Sequence, residues 1–222
     1  PGRRGCELED LAGSLAFFPV VGLFIGALAA AFTWGSGHLL PDLVTGVLTT
    51  ILLIGVSGGL HMDGASDTAD GFFSARPEER VLEIMRDSRI GAMGAIAIVS
   101  LFLLKASALT GLSTGVRWQA ALLMPVAGRS ALVVSMAILP YMRAEGGIGS
   151  PFHEKRPRFA AAWSLFLMGL VGWVVAEISG LIAAGATLGA IFLFAYYVYR
   201  KIGGSTGIHL ARHVKSWNAY RR

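Results

Sequence analysis

Leu11-Ala-Gly-Ser-Leu-Ala-Phe-Phe-Pro-Val-Val-Gly-Leu-Phe-Ile-Gly-Ala-Leu-Ala-Ala-Ala-Phe-Thr-Trp34 contains no Asp, Glu, Lys or Arg. A bilayer's hydrocarbon core is about 30 Å thick and takes roughly 20 helical residues to cross, so this run is long enough to span it. Helix is the expected conformation, because in lipid a lone segment must satisfy its own backbone N–H and C=O groups. Five further apolar runs follow, at 43–60, 90–109, 118–139, 159–178 and 181–199. The last two are separated by little more than Ser179 and Gly180, which predicts a tight helical hairpin. Composition agrees: 54% of residues are hydrophobic and 15% charged, where a soluble domain carries about 25% charge. The mean hydropathy is +0.61. The fold class expected is all-α, a polytopic transmembrane bundle of about six helices making one integral membrane domain over residues 1–222, with no domain linker or repeat. Gly22, Gly26, Ala27 and Ala30 recur in the first run either as close-packing positions between helices or as apolar filler.

Arg3 and Arg4 precede the first run, but the run can span and no clear cleavage site follows, so it is expected to stay as the first helix rather than leave as a signal peptide. Cys6 is the only cysteine, which excludes an intramolecular disulfide and a structural thiolate metal site. The five His are scattered, without a zinc-binding pair on one helical face.

Basic residues set the orientation, because short cytoplasmic loops collect Lys and Arg. The N-terminus carries Arg3 and Arg4. The loop after the second run has Arg76, Arg80, Arg86 and Arg89, and the loop after the fourth has Arg143, Lys155, Arg156 and Arg158. The tail has Arg200, Lys201, Arg212, Lys215, Arg221 and Arg222. Of the 19 Lys and Arg, only Arg117 falls on the other side, with Lys105 and Arg129 inside runs. Both termini and these loops are therefore expected in the cytoplasm, with the chain in the cell inner membrane. The net charge of +5 points to anionic headgroups or an anionic substrate, and nucleic acid is not an expected partner.

The chemistry concentrates after the second run, in Gly58-Gly59-Leu60-His61-Met62-Asp63-Gly64-Ala65-Ser66-Asp67-Thr68-Ala69-Asp70-Gly71. The three aspartates stand at i, i+4 and i+7, an arc of only about 60° on a helix. Like charges so close repel unless a cation sits among them, and carboxylate oxygens suit Mg²⁺. Asp63, Asp67 and Asp70 are thus candidate metal ligands; a solvated acidic cap on the second helix is the other reading. Downstream, residues 77–89 are predicted to form a short interfacial helix with an apolar stripe of Val81, Ile84 and Met85. It returns Arg86, Asp87, Ser88 and Arg89 to the membrane boundary, where the arginines either anchor the chain or meet the aspartates. Arg129, inside the fourth run, either contacts an anionic ligand or is structural.

His61-Met62-Asp63-Gly64-Ala65-Ser66-Asp67-Thr68-Ala69-Asp70-Gly71, followed by Glu83-Ile84-Met85-Arg86-Asp87-Ser88-Arg89-Ile90-Gly91, resembles the signature of the cobalamin synthase (adenosylcobinamide-GDP ribazoletransferase) family. Ser14-Leu15-Ala16-Phe17-Phe18-Pro19 with Gly22, the Gly128-Arg129 pair and Gly203-Gly204-Ser205-Thr206-Gly207 are similar too, so the likeness runs from about 10 to 207. It implies a membrane phosphotransferase in which a hydroxyl of α-ribazole, or of its 5′-phosphate, attacks adenosylcobinamide-GDP and GMP leaves. A metal clamp, arginines and a spare carboxylate suit that chemistry. Mg²⁺ would sit on Asp63 and Asp67, with Asp70 a third ligand or the base and Asp87 a second candidate for either role. Arg86, Ser88, Arg89 and Arg129 would bind substrate. The family pattern continues after Gly207 with an aspartate and a further apolar segment, whereas this chain has Ile208 and an atypical polar tail to Arg222. CDP-alcohol phosphotransferases also cluster aspartates at a membrane site, but their Ala-Arg pair after Asp-Gly is not matched. A transporter would place its acids near the bilayer midplane, and these lie at its boundary. Self-association is left open by the sequence.

Overall fold

The computed structural model describes residues 13–85, 87, 89–139 and 157–201. Among the described residues every regular element is helical. The expectations for the N-terminal arginines, for the basic segment up to Arg156 and for the tail 208–222 lie outside the described residues.

A 3-10 turn, Leu15–Phe17, leads into α1 (Phe18–Ser36), followed by α2 (Asp42–Val56), α3 (Leu60–Phe72), α4 (Glu78–Ile84), α5 (Ala92–Thr110), α6 (Thr114–Ile138) and α7 (Arg158–Lys201). Four of these stretches are long and apolar enough to cross a membrane, and α2 with α3 makes a fifth when the bent pair is read as one span. Exposed side chains along them, Phe24, Leu28, Ile96, Leu103, Leu104, Phe166 and Val174 among them, are large and apolar, as a surface facing acyl chains requires. The protein is an all-α membrane protein. The fifth and sixth expected runs fall in one element, α7, whose 44 residues would measure about 66 Å if straight. Its backbone breaks at Ala176 and Glu177, where Glu177 takes φ 50°. The break falls just before Ser179 and Gly180, where the hairpin was expected. A Cβ on Gly172 would lie 2.8 Å from the Gly180 carbonyl oxygen, so the limbs on either side of the break meet through those two glycines.

Contacts divide the chain into two compact units, one of Pro1–Val20 with Ala127–Arg222 and one of Val21–Val126. In the first, Leu15, Val133, Val134, Ala161 and Ile191 form a buried cluster. The Trp163 indole donates to the Ala16 carbonyl at 3.1 Å, and the Ser130 hydroxyl donates to Ser164 O at 3.2 Å. In the second, α1 meets α2 through a buried Thr33–Thr49 hydroxyl pair at 3.0 Å. Gly26 faces the Leu122 backbone so closely that a Cβ would lie 3.0 Å from the Leu122 carbonyl carbon, so at this position the small residue is a packing position. Gly46 of α2 is likewise pressed on α5, where a Cβ would lie 3.0 Å from Ala106 O.

The aspartate stretch is helical, as the arc of its three acids requires, but the second run ends at Val56 and the aspartates lie on a separate helix bent by 88° from α2. The bend follows from Gly58 and Gly59, at φ 60° and 75°, where residues with a Cβ are strained. The Gly59 amide reaches back to Ile54 O at 3.0 Å and the Gly58 amide to Gly55 O at 3.0 Å, closing the end of α2 in the glycine-terminated manner that satisfies its last carbonyls.

Candidate active site

Along α3 the buried positions are Met62, Ser66, Ala69, Gly71 and Phe72, the first three again at i, i+4 and i+7. The aspartates stand one residue further on, about 100° around the axis, so they border the packed face. Asp63 is exposed, and Asp67 and Asp70 are half-buried. Among the described residues no three His, Cys, Asp or Glu converge in a metal cage.

Asp70 explains why. Its two carboxylate oxygens accept from the backbone amides of Gly91 and Gly94, each at 2.8 Å. Gly91 is the residue that caps α5, and α5 has no side-chain cap of its own. A helix N-terminus leaves four amides without intrahelical partners and carries the positive end of the dipole; Asp70 supplies acceptors and negative charge there from another element. Both glycines are required for the approach. A Cβ on Gly91 would lie 2.8 Å from Asp70 Cγ, and one on Gly94 would lie 3.0 Å from the same atom while colliding with Asp70 Oδ2 and Ser66 Oγ. Ser66 Oγ is buried beside them and has no hydrogen-bond partner among the described residues.

The next residue of α3 holds the other end of the same chain segment. Gly71 is packed under α4 so tightly that a Cβ would lie 2.6 Å from Met85 Cγ and 3.2 Å from Val81 Cγ1. Of the stretch 77–89 expected as one interfacial helix, the helical part among the described residues is the short α4, Glu78–Ile84, with Val81 buried and packed with Met85 on Gly71 of α3. Between the two ties stand Asp87 and Arg89. Arg89 Nε donates to both Asp87 oxygens at 3.1 Å, its Nη2 donates to Oδ2 at 2.7 Å, and its backbone amide donates to Oδ1 at 3.1 Å. These bonds hold the Asp87 carboxyl below its ordinary 3.8, at about 2. Most of the Arg89 side chain stays exposed. Arg86 and Ser88 lie outside the described residues. Arg129 is half-buried on α6, in the unit that does not contain α3, and it has no ion-pair partner among the described residues.

Sequence alone marks the acids and the basic segment as candidates and does not single out Ser66, Gly91 or Gly94. The available signal was an α5 run that begins after Ile90-Gly91, with no Ser, Thr, Asp or Asn at the cap position.

The sequence profile of cobalamin-5-phosphate synthase matches residues 1–207. This chain belongs to that family. A cobalamin-5-phosphate synthase relative in Desulforamulus reducens, named adenosylcobinamide-GDP ribazoletransferase, is 36% identical over 92% of this chain and 82% of its own length. Proteins of the same name in Herpetosiphon aurantiacus and a Roseiflexus species are each 40% identical over 93% of this chain, covering 82% and 76% of theirs. The cobalamin-5-phosphate synthase match stops at Gly207, where the sequence turns to Ile208 and the polar tail. No solved structure matches the chain.

Proposed function

We propose that the chain is a membrane-embedded adenosylcobinamide-GDP ribazoletransferase, acting in the late nucleotide-loop step of cobalamin assembly. The hydroxyl of α-ribazole, or of α-ribazole 5′-phosphate, attacks the cobinamide-linked phosphorus of adenosylcobinamide-GDP. A new P–O bond forms, the bond to the bridging oxygen breaks, and GMP leaves. The observation that carries this reading is α3: Asp63 and Asp67 stand a helical turn apart on the helix whose Asp70 and Gly71 hold the chain on either side of Asp87 and Arg89, in a chain of this family.

Mg²⁺ belongs to the proposal at Asp63 and Asp67. Two carboxylates on one face fit a cation that commonly takes one or two, completing its shell with water and substrate phosphate oxygens. When bound, it would neutralise charge on the transferring phosphoryl group. Arg89 offers an exposed guanidinium whose orientation Asp87 fixes, and a planar fork suits phosphate oxygens. The Asp87 carboxyl, held near a pKa of about 2, is a poor proton acceptor, so we read it as orienting Arg89. Phosphoryl transfer asks little of a strong base, since positioning and charge neutralisation carry most of the rate.

The orientation proposed is cytoplasmic for α3, α4 and both termini, in the cell inner membrane, on the asymmetry of Lys and Arg. Purified membranes are assayed for GMP release from adenosylcobinamide-GDP, with and without α-ribazole, α-ribazole 5′-phosphate and Mg²⁺, beside an active relative. Release that needs a ribazole acceptor and Mg²⁺ is expected; none, with the relative active, refutes the reading. An engineered cysteine at Ser74 should resist impermeant reagents from the outer side, and its labelling there would refute the orientation.

A further inference from the structure

Neighbouring residues of α3 hold both ends of one short stretch of chain. Gly71 receives Met85, and Asp70 receives the amides of Gly91 and Gly94. Asp87 and Arg89 lie between these ties, and Arg89 is only two residues from Gly91. Asp70 spends an oxygen on each amide, and the two glycines, lacking a Cβ, leave the space through which the carboxylate reaches the start of α5. Ser66, one turn before Asp70 on α3, places its buried hydroxyl against the same side of Gly94.

We propose that Asp70 is a positioning residue: it fixes the Asp87–Arg89 segment beside Asp63 and Asp67 by clamping the first turn of α5, and it neither ligates the metal nor accepts a proton. Its kinetic consequence rests on the phosphotransferase reading, whereas the clamp itself does not. Spacing along α3 groups Asp70 with the other two aspartates; its hydrogen bonds separate it from them. Ser66 contributes by walling in the carboxylate.

The test compares the full chain with Asp70→Asn, Gly94→Ala and Asp67→Asn, all purified in detergent. Asp70→Asn removes the charge and one acceptor. Gly94→Ala leaves every carboxylate in place and drives a Cβ into Asp70 Oδ2 and Ser66 Oγ. Hydrogen exchange at the Gly91 and Gly94 amides reads the clamp, and Mn²⁺ binding, followed by electron paramagnetic resonance, reads the metal site without needing turnover. In both clamp variants we expect exchange to rise about tenfold or more, while Mn²⁺ affinity stays within about twofold of the parent. KM for adenosylcobinamide-GDP should rise about tenfold with the Mg²⁺ requirement unchanged, because the phosphate-facing segment is misplaced and the metal is not. Asp67→Asn should show the opposite pattern, with parental exchange and Mn²⁺ affinity down about tenfold or more.

The idea is overturned if Asp70→Asn loses Mn²⁺ as Asp67→Asn does while Gly94→Ala keeps it, since Asp70 is then a ligand. Parental exchange in Asp70→Asn overturns it too. Should Asp70→Asn fail to fold, Gly94→Ala decides alone: faster exchange with parental Mn²⁺ binding supports the clamp, and parental exchange with parental KM rejects it. If no protein releases GMP, the transferase reading falls and the exchange and Mn²⁺ arms still judge the clamp.

Discussion

The two ends of α5 are held by the same electrostatic logic in opposite settings. At the N-terminus a carboxylate from α3 takes the Gly91 and Gly94 amides; at the C-terminus Arg117, in the first turn of α6, donates to Leu109 O at 2.8 Å and Leu112 O at 2.7 Å. Negative charge meets the positive end of the dipole and positive charge the negative end. Arg117 is fully buried and pairs with Asp42, at the start of α2, at 2.8 Å. The Arg117 end ties three helices together around a charge with no exposure. The Asp70 end lies on a helix that also carries the exposed Asp63 and the half-buried Asp67, and close in sequence to the exposed guanidinium of Arg89. One end is built for rigidity and the other for rigidity next to chemistry.

The largest effect should come from breaking the buried end. Arg117→Ala leaves the Leu109 and Leu112 carbonyls without their donor and empties a fully buried volume, at a cost of about 3 kcal/mol, while Asp42, more than half exposed, adds little. Thermal unfolding in detergent should show a large drop in midpoint, and a near-parental midpoint would mean that the buried network contributes little. Asp70→Asn should cost less, about 1–2 kcal/mol, for one hydrogen bond and the charge at the dipole, measured the same way. Smaller again is Arg117→Lys, which keeps the charge but loses the fork that serves carbonyls and carboxylate together, at about 1 kcal/mol. If it matches Arg117→Ala, geometry rather than charge holds that end.

The smallest effect concerns Asp87. Its carboxyl is depressed in the folded protein from 3.8 to about 2, so its pairing with Arg89 contributes above the unfolded value and is lost as pH falls through about 2. Parent and Asp87→Asn should therefore differ most in thermal midpoint above about pH 4 and converge toward pH 2. Even the maximum should be slight, because exposed pairs contribute little. A difference that grows as pH falls would contradict the assignment.

Much of this was legible in the sequence. Long uncharged runs announce membrane helices because lipid penalises polar exposure everywhere along them, and three aspartates within eight residues announce a charged site. The rest depended on partners distant along the chain. The Asp70 bonds span 21 and 24 residues, and nothing at i+4 or i+7 separates a capping carboxylate from a ligand. Arg117 read as a lone charge on the outer side, since its acceptors are backbone carbonyls, which every residue has. Gly180 read as a turn residue when it serves as a contact surface for Gly172. Gly58 and Gly59 permit a bend, but permissiveness does not say that a helix will resume after it.

That bend has an electrical consequence. In the proposed orientation α3 lies at the cytoplasmic boundary, turned by 88° from α2, so Asp63 and Asp67, one helical turn apart, sit at nearly one depth. Moving a unit charge through the full membrane potential is worth about 2.3 kcal/mol per 100 mV, but charges at equal depth share the same fraction of that field. A reaction conducted along α3 is therefore insulated from the cell's voltage. Energising or depolarising the membrane should leave its equilibrium where it was, as neither substrate phosphate nor carboxylate need move along the field to react.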